Sequence, residues 1–246
     1  MSKDIVVQIA INKSERSANQ GYSISSKSWK KWCDANNVEL FSISDEVVSD
    51  LGYQWNKLFI LNLLDIEGID YNRVLYVDSD TIVHPKMPYI FDLVGDKFGV
   101  VRNFGCMDWV CRSIENCSDV LFNKSVSVSP FRYFNSGVMI FNKSHKEFFE
   151  LVKDFYSENK GKLEDFQSLG VGKDQPILNY LTEIHNIEKE YLPYEYNMQD
   201  MNRFEVLTPN MLHTTFGWIY HFNGGVKPTP GHWMQETFNF LNSKYD

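Results

Sequence analysis

The sequence predicts an α/β fold, with a mixed, mainly parallel sheet flanked by helices in a single domain. Three observations carry that reading. The chain has 246 residues, a length that suits one α/β domain. Short, nearly all-apolar runs alternate with longer segments of helical period, the pattern of strands covered on both faces by helices. One such run, Val74-Leu75-Tyr76-Val77, stops abruptly at Asp78-Ser79-Asp80. Open α/β sheets take their ligands at the carboxyl ends of their strands.

The elements follow in order. Residues 4–11 are almost all apolar and read as a first, central strand. Residues 20–36 read as a helix with Trp29 and Trp32 on one face, and 38–43 as a second strand. Residues 54–65 form a helix whose apolar side includes Trp55, Leu58, Phe59 and Leu61, and 73–77 a third strand, which Thr81 and Ile82 resume. After a strand at 98–102, residues 103–132 read as irregular. Residues 133–142 read as a strand broken at Ser136-Gly137. A helix is expected over 144–159, with Ser144 as N-cap and Glu147 completing a capping box. Another is expected over 173–183, with Pro176 tolerated in its first turn. Residues 191–207 read as irregular, 219–222 as a last short strand, and 232–241 as a terminal helix.

Bulk properties exclude several classes. A net charge of -8 argues against broad nucleic-acid binding, which needs a basic surface. No apolar run is long enough for a transmembrane helix, and the amino terminus lacks the apolar core of a signal peptide. The expectation is a soluble, cytoplasmic protein or a catalytic domain of something larger. Cys106, Cys111 and Cys117 cluster, but not at zinc-knuckle spacing, so free thiols are expected, as for Cys33.

Four segments carry candidate chemistry. Asp78 and Asp80 are one residue apart, so on a strand both side chains point the same way. Two carboxylates converging on one point repel unless a proton or cation lies between them. Oxygen ligands suit Mg²⁺ or Mn²⁺, which commonly complete their shells with substrate phosphates. His221, at a strand end before Gly224, Gly225 and Lys227, offers an imidazole ligand, close backbone approach and a point charge for phosphate. The Asn135-Ser136-Gly137 break inside an apolar strand marks a bulge and a site. Asp174-Gln175 opens a helix, where an aspartate either caps the helix or faces a ligand.

Together these segments resemble the GT-A (Rossmann-like) glycosyltransferase fold, and most closely glycosyltransferase family 8, the glycogenin and lipopolysaccharide galactosyltransferase group. Tyr76 to Val83 is similar to the family's Tyr-Leu-Asp-x-Asp-x-apolar-apolar segment, and Phe134 to Met139 to its Phe-Asn-Ser/Ala-Gly-Val-Met strand. Asp174, Gln175 and Asn179 resemble its Asp-Gln helix start. His221, Gly224, Lys227 and Pro228 match its His-x-x-Gly-x-x-Lys-Pro-Trp signature, with Thr229 in place of Trp. Lys57 resembles the family's donor-facing helix lysine. The resemblance runs from residue 4 to about 230.

The resemblance implies a nucleotide-binding half of about 1–102 and an acceptor-side half of about 103–246. It implies that Asp78, Asp80 and His221 hold Mn²⁺ or Mg²⁺ against the diphosphate of a UDP-sugar. Ala10, Ile11 and Asn12 would meet the nucleoside, and Ser79, Gly224 and Lys227 would join the donor site. Lys57, Asn135, Ser136, Asp174 and Gln175 would surround the donor sugar and the acceptor, with Asp174, Gln175 and Lys57 as catalytic candidates. The implied reaction moves a hexose or deoxyhexose to a glycan or other hydroxyl acceptor, with retention of configuration. The alternatives are a non-catalytic sugar-nucleotide or glycan-binding module and a metal-dependent phosphohydrolase.

Overall fold

The computed structural model describes residues 3–11, 19–47, 52–202, 207, 210–223 and 230–245. Strand β1 (Lys3–Ile9) is followed by helix α1 (Asn19–Ala35) and strand β2 (Glu39–Ile43). A 3-10 helix (Tyr53–Phe59) continues into α2 (Ile60–Ile66), which leads to β3 (Tyr71–Asp78) and the short β4 (Thr81–Val83). Next come β5 (Phe98–Arg102), α3 (Met107–Leu121) and β6 (Phe134–Asn142). Helices α4 (Lys146–Glu158), α5 (Lys160–Ser168) and α6 (Asp174–Ile184) precede β7 (Lys189–Leu192), β8 (Ile219–His221) and α7 (Pro230–Tyr245).

Six strands form one sheet in the order β2-β1-β3-β6-β5-β7. β1 runs parallel to β2 and β3, and β5 parallel to β7, whereas β6 is antiparallel to both neighbours. The antiparallel β6 therefore begins where β3 ends, with Val77 opposite Val138. That register sets Gly137 level with Asp78 at the end of β3, and Asn135 and Ser136 just beyond it. On its other side, β6 slips in register between Val100 and Val101, so that Met139 and then Asn135 are the paired residues. The expected irregularity at Ser136-Gly137 is this slip, inside a continuous strand.

The sheet is buried on both faces, which explains the near-continuous apolar runs. Alternate residues divide between two cores, as the strand period requires. Val7, Val74, Tyr76 and Met139 face one core with Trp55, Leu61 and Phe149. Val6, Leu75, Val77 and Val138 face the other with Trp29 and Trp32. Burying each such side chain contributes roughly 1.5–3 kcal/mol.

Several expectations need correction. Residues 103–132 are not irregular: they contain α3, whose buried face is Val110, Ser113, Cys117 and Leu121. The helix start expected at Ser144 belongs to Asn142, whose side chain accepts from the Ser144 N–H at 2.9 Å while the Asn142 N–H donates to His145 Nδ1 at 3.2 Å. Asn142 and His145 thus make the capping box on a 3-10 turn (Lys143–His145) that leads into α4. The segment starting at Tyr191 is strand for two residues before it becomes irregular. β4 does not resume β3: it pairs with β8 in a separate two-stranded sheet. All four cysteines are free, and among the described residues no helix is long and apolar enough to cross a membrane.

Candidate active site

The carboxylates converge through a turn, not through strand pleating. Asp78 is the last residue of β3, and Ser79-Asp80 turn the chain into β4. The Thr81 hydroxyl closes the turn, donating to the Asp78 carbonyl at 2.7 Å and accepting the Trp29 indole N–H at 2.9 Å. Ser28 on the same helix bonds both polar backbone groups of Val83, so α1 fixes β4 in place. In the small sheet Thr81 lies opposite His221, and the Phe222 N–H donates to the Asp80 carbonyl at 2.8 Å. Residues from two sheets are thereby drawn to one point.

Asp78, Asp80 and His221 each present a ligand atom there, all within 4.8 Å of one another. His221 Nε2 lies 3.0 Å from Asp80 Oδ1 and 3.7 Å from Asp78 Oδ2. Asp80 Oδ1 is enclosed, with the His221 imidazole as its close polar neighbour. The backbone behind the cluster is bare: a Cβ on Gly137 would lie 2.3 Å from His221 Cε1 and 2.6 Å from Asp78 Oδ2. Two acids and an imidazole converging in a cradle without a side chain fit a hard divalent cation. Burial disfavours a charged imidazole, yet Asp80 and Asp78 outweigh it and hold His221 above its ordinary value.

A second cluster adjoins the first. Lys57, on the buried 3-10 helix before α2, reaches Asp174 Oδ2 at 2.9 Å and Asp78 Oδ1 at 3.5 Å. It also donates to the Ser136 carbonyl at 3.2 Å. Burial works against its charge, but Asp174 and then Asp78 hold its pKa up. The Tyr76 hydroxyl donates to Asp78 Oδ1, and burial followed by the Asp78 charge keeps that phenol protonated. Ser136 Oγ donates to Asp174 Oδ2 at 2.8 Å. Gln175 Oε1 accepts from Asn135 Nδ2 at 3.0 Å and from the Ser136 N–H at 3.2 Å. Three carboxylates face one ammonium, so with a neutral imidazole the site carries two net negative charges. That is the charge a single divalent cation would balance.

Both clusters line one cleft of about 320 Å³, at the small end of the usual range for ligand pockets. Ile11, Lys57, Asp78, Ser79, Asp80, Asn135, Ser136, Asp174, Gln175 and His221 of the anticipated residues all line it. Ala10 does not face it; its N–H donates to the Ile43 carbonyl at 2.8 Å. Asn12, Gly224 and Lys227 lie outside the described residues, as does Thr229. Sequence reasoning missed Tyr22, Tyr53 and Lys173 on the cleft wall, which Trp109 also lines, and Asn197 behind His221. Trp109 lay in the supposedly irregular segment, and Asn197 carries no pattern that sets it apart.

Residues 7–231 match the family described as Glycosyl transferase family 8. The chain belongs to glycosyltransferase family 8. Solved structures agree on the fold. A glycosyltransferase involved in the glycosylation of the major capsid of PBCV-1 superposes with a TM-score of 0.61 at 12% identity, covering 98% of this chain and 99% of that one. GlyE of Streptococcus pneumoniae TIGR4 gives 0.58 at 15% identity, covering 99% of this chain and 64% of GlyE. The bifunctional glycosyltransferase WbbM gives 0.55 at 18% identity, covering 96% of this chain and 50% of WbbM. This family 8 chain thus spans about two-thirds of GlyE and half of WbbM. A search of curated protein sequences found no match. Family 8 membership makes the protein a glycosyltransferase with the GT-A fold, and sets aside the binding-module and phosphohydrolase readings.

Proposed function

We propose that this glycosyltransferase is metal-dependent. It moves a hexose or deoxyhexose from a nucleotide diphosphate sugar, of the UDP-sugar class, to a hydroxyl of a glycan acceptor. The observation that carries the reading is the convergence of Asp78, Asp80 and His221, whose ligand atoms all lie within 4.8 Å of one another. These three side chains would hold Mn²⁺ or Mg²⁺. The ion supplies Lewis-acid stabilisation of the charge that develops on the departing diphosphate. Ile11, together with Ile9 and Tyr22, offers the apolar and aromatic wall suited to a nucleoside. Gly224 and Lys227 are proposed to reach the same diphosphate, Lys227 as a point charge, and Asn12 to shape the nucleoside end.

Lys57, Asn135, Ser136, Asp174 and Gln175 are proposed to surround the donor sugar, with Lys57, Asp174 and Gln175 closest to the reacting bond. The arrangement favours retention. An inverting enzyme needs a carboxylate free to take the acceptor proton, and Asp174 already accepts from Lys57 at 2.9 Å and from Ser136 at 2.8 Å. In the retaining route the anomeric C–O bond breaks and its electron pair leaves with the phosphate. The acceptor oxygen bonds to the same face of that carbon, and its proton passes to the departing phosphate oxygen.

The test is a screen of nucleotide sugars with Mn²⁺, scoring both binding and hydrolysis. UDP-sugars are expected to bind only with metal present. Asp80→Asn is expected to abolish metal-dependent UDP binding and leave the circular dichroism spectrum unchanged. Metal-independent binding, or unchanged binding by the variant, would sink the reading.

A further inference from the structure

We infer that Asn197 positions His221 for metal binding, by passing on an orientation that the backbone of β6 fixes. The inference rests on the metal-binding reading above. It follows from a chain of buried hydrogen bonds whose direction is set by groups that can act in one sense only.

The chain starts at backbone N–H groups, which always donate. The Gly137 N–H donates to Asn135 Oδ1 at 2.9 Å, so the Asn135 amide oxygen must face it. Its nitrogen then faces Gln175 Oε1 at 3.0 Å, an oxygen held independently by the Ser136 N–H at 3.2 Å. Asn135 Oδ1 also meets the Asn197 amide at 3.0 Å. Two oxygens would repel there, so Asn197 presents Nδ2 and turns Oδ1 the other way. That Oδ1 lies 3.1 Å from His221 Nδ1. An amide oxygen only accepts, so Nδ1 carries a proton and Nε2 is the nitrogen left to bind a cation. Nε2 is the atom that faces Asp78 and Asp80.

The placement is rigid. Asn197 is 0% exposed and His221 2%, so no solvent replaces a lost partner. The Met198 N–H donates to the Ile219 carbonyl and the His221 N–H to the Met198 carbonyl, both at 2.8 Å. Asn197 therefore rides on a segment paired directly with the strand that carries His221. Ligating imidazoles depend on such partners for tautomer and ring angle, and losing one typically weakens metal binding about 10–100-fold.

The experiment titrates Mn²⁺ into the wild-type protein and its Asn197→Ala, Asn197→Asp, His221→Ala and doubly substituted variants, reading free Mn²⁺ by electron paramagnetic resonance. Asn197→Ala is expected to weaken binding about 10–100-fold. Asn197→Asp keeps an acceptor for the Nδ1 proton but sets an oxygen against Asn135 Oδ1. It should hold Mn²⁺ within about threefold of wild type while melting at a lower temperature. In the His221→Ala background, adding Asn197→Ala should change affinity less than about twofold, because the residue acts through His221. Equal losses in both backgrounds, or affinity that follows melting temperature across the series, overturn the inference and leave the metal site standing. If Asn197→Ala fails to fold, the Mg²⁺-loaded wild-type protein decides. His221 must show a slowly exchanging Nδ1-bound proton by ¹H–¹⁵N NMR, and its absence overturns the inference. A wild-type protein that binds no Mn²⁺ sinks the metal reading and this inference with it.

Discussion

A single missing methyl group shapes the candidate site. Gly137 lies against the imidazole of His221 and the carboxylate of Asp78 at distances no Cβ tolerates. Neither neighbour can retreat easily, since Asp78 is bonded by Tyr76 and Lys57 and His221 is backed by Asn197. Gly137→Ala is therefore expected to weaken Mn²⁺ binding by at least about tenfold, comparable to loss of a ligand's supporting partner. Calorimetry with Mn²⁺ checks this, and near-wild-type affinity would show that the cluster can shift without cost. At this scale the sequence was informative where chemistry is rare. Two acids one residue apart after an apolar run, and a polar break in a strand, conflict with their surroundings. Asn197 was invisible because an asparagine in a polar, irregular segment conflicts with nothing; only its burial against His221 gives it meaning.

At the scale of elements, the site depends on how strand ends are tied. At the opposite end of the strands from the cleft, Asp4 on β1 accepts from Arg73 Nη2 on β3 at 2.7 Å, from Tyr89 at 2.7 Å and from Asn72 at 3.0 Å. Burial pushes the Asp4 carboxyl up, but the Arg73 and Tyr89 hydrogen bonds outweigh it and hold the pKa below its ordinary value. A depressed carboxylate contributes its full stability above the unfolded value and loses it as pH falls through the folded one. Urea unfolding between about pH 5 and pH 2 should therefore show a steeper loss for the wild-type protein than for Asp4→Asn. Parallel slopes would mean the pair is energetically silent. The strands with continuous apolar runs were legible to within two residues. Helix α3 was not, because its buried face includes Ser113 and Cys117, which dilute the apolar period. Strand β7 was hidden because three of its four residues, Lys189, Glu190 and Tyr191, are only half-buried at the sheet edge.

At the scale of the whole molecule, the sheet order and the antiparallel β6 were beyond reach of local pattern. Buried parallel and buried antiparallel strands have the same apolar composition when both faces are covered. The fold class needed only alternation, and alternation was present. A ligand that binds the folded chain alone must raise its melting temperature. Mn²⁺ and UDP together, each at a hundredfold excess over its dissociation constant, should each add about 2.7 kcal/mol. Scanning calorimetry should register that as a rise of several degrees, absent in Asp80→Asn. An unchanged transition in the wild-type protein would leave the cleft without its proposed occupant.

The pairing of β4 with β8 also imposes an order in time. Asp78, at the end of a strand that already has its parallel neighbour β1, and Asp80 in the turn after it leave the ribosome early. The imidazole opposite them belongs to β8, and well over a hundred further residues must be translated before it exists. Until then Lys57 and Tyr76 stand beside Asp78, but the two acids lack the imidazole, and the cleft has no wall at that point. The nascent chain can hold a nearly complete central sheet and still lack the third member of the proposed metal site, which is completed at one late moment of synthesis.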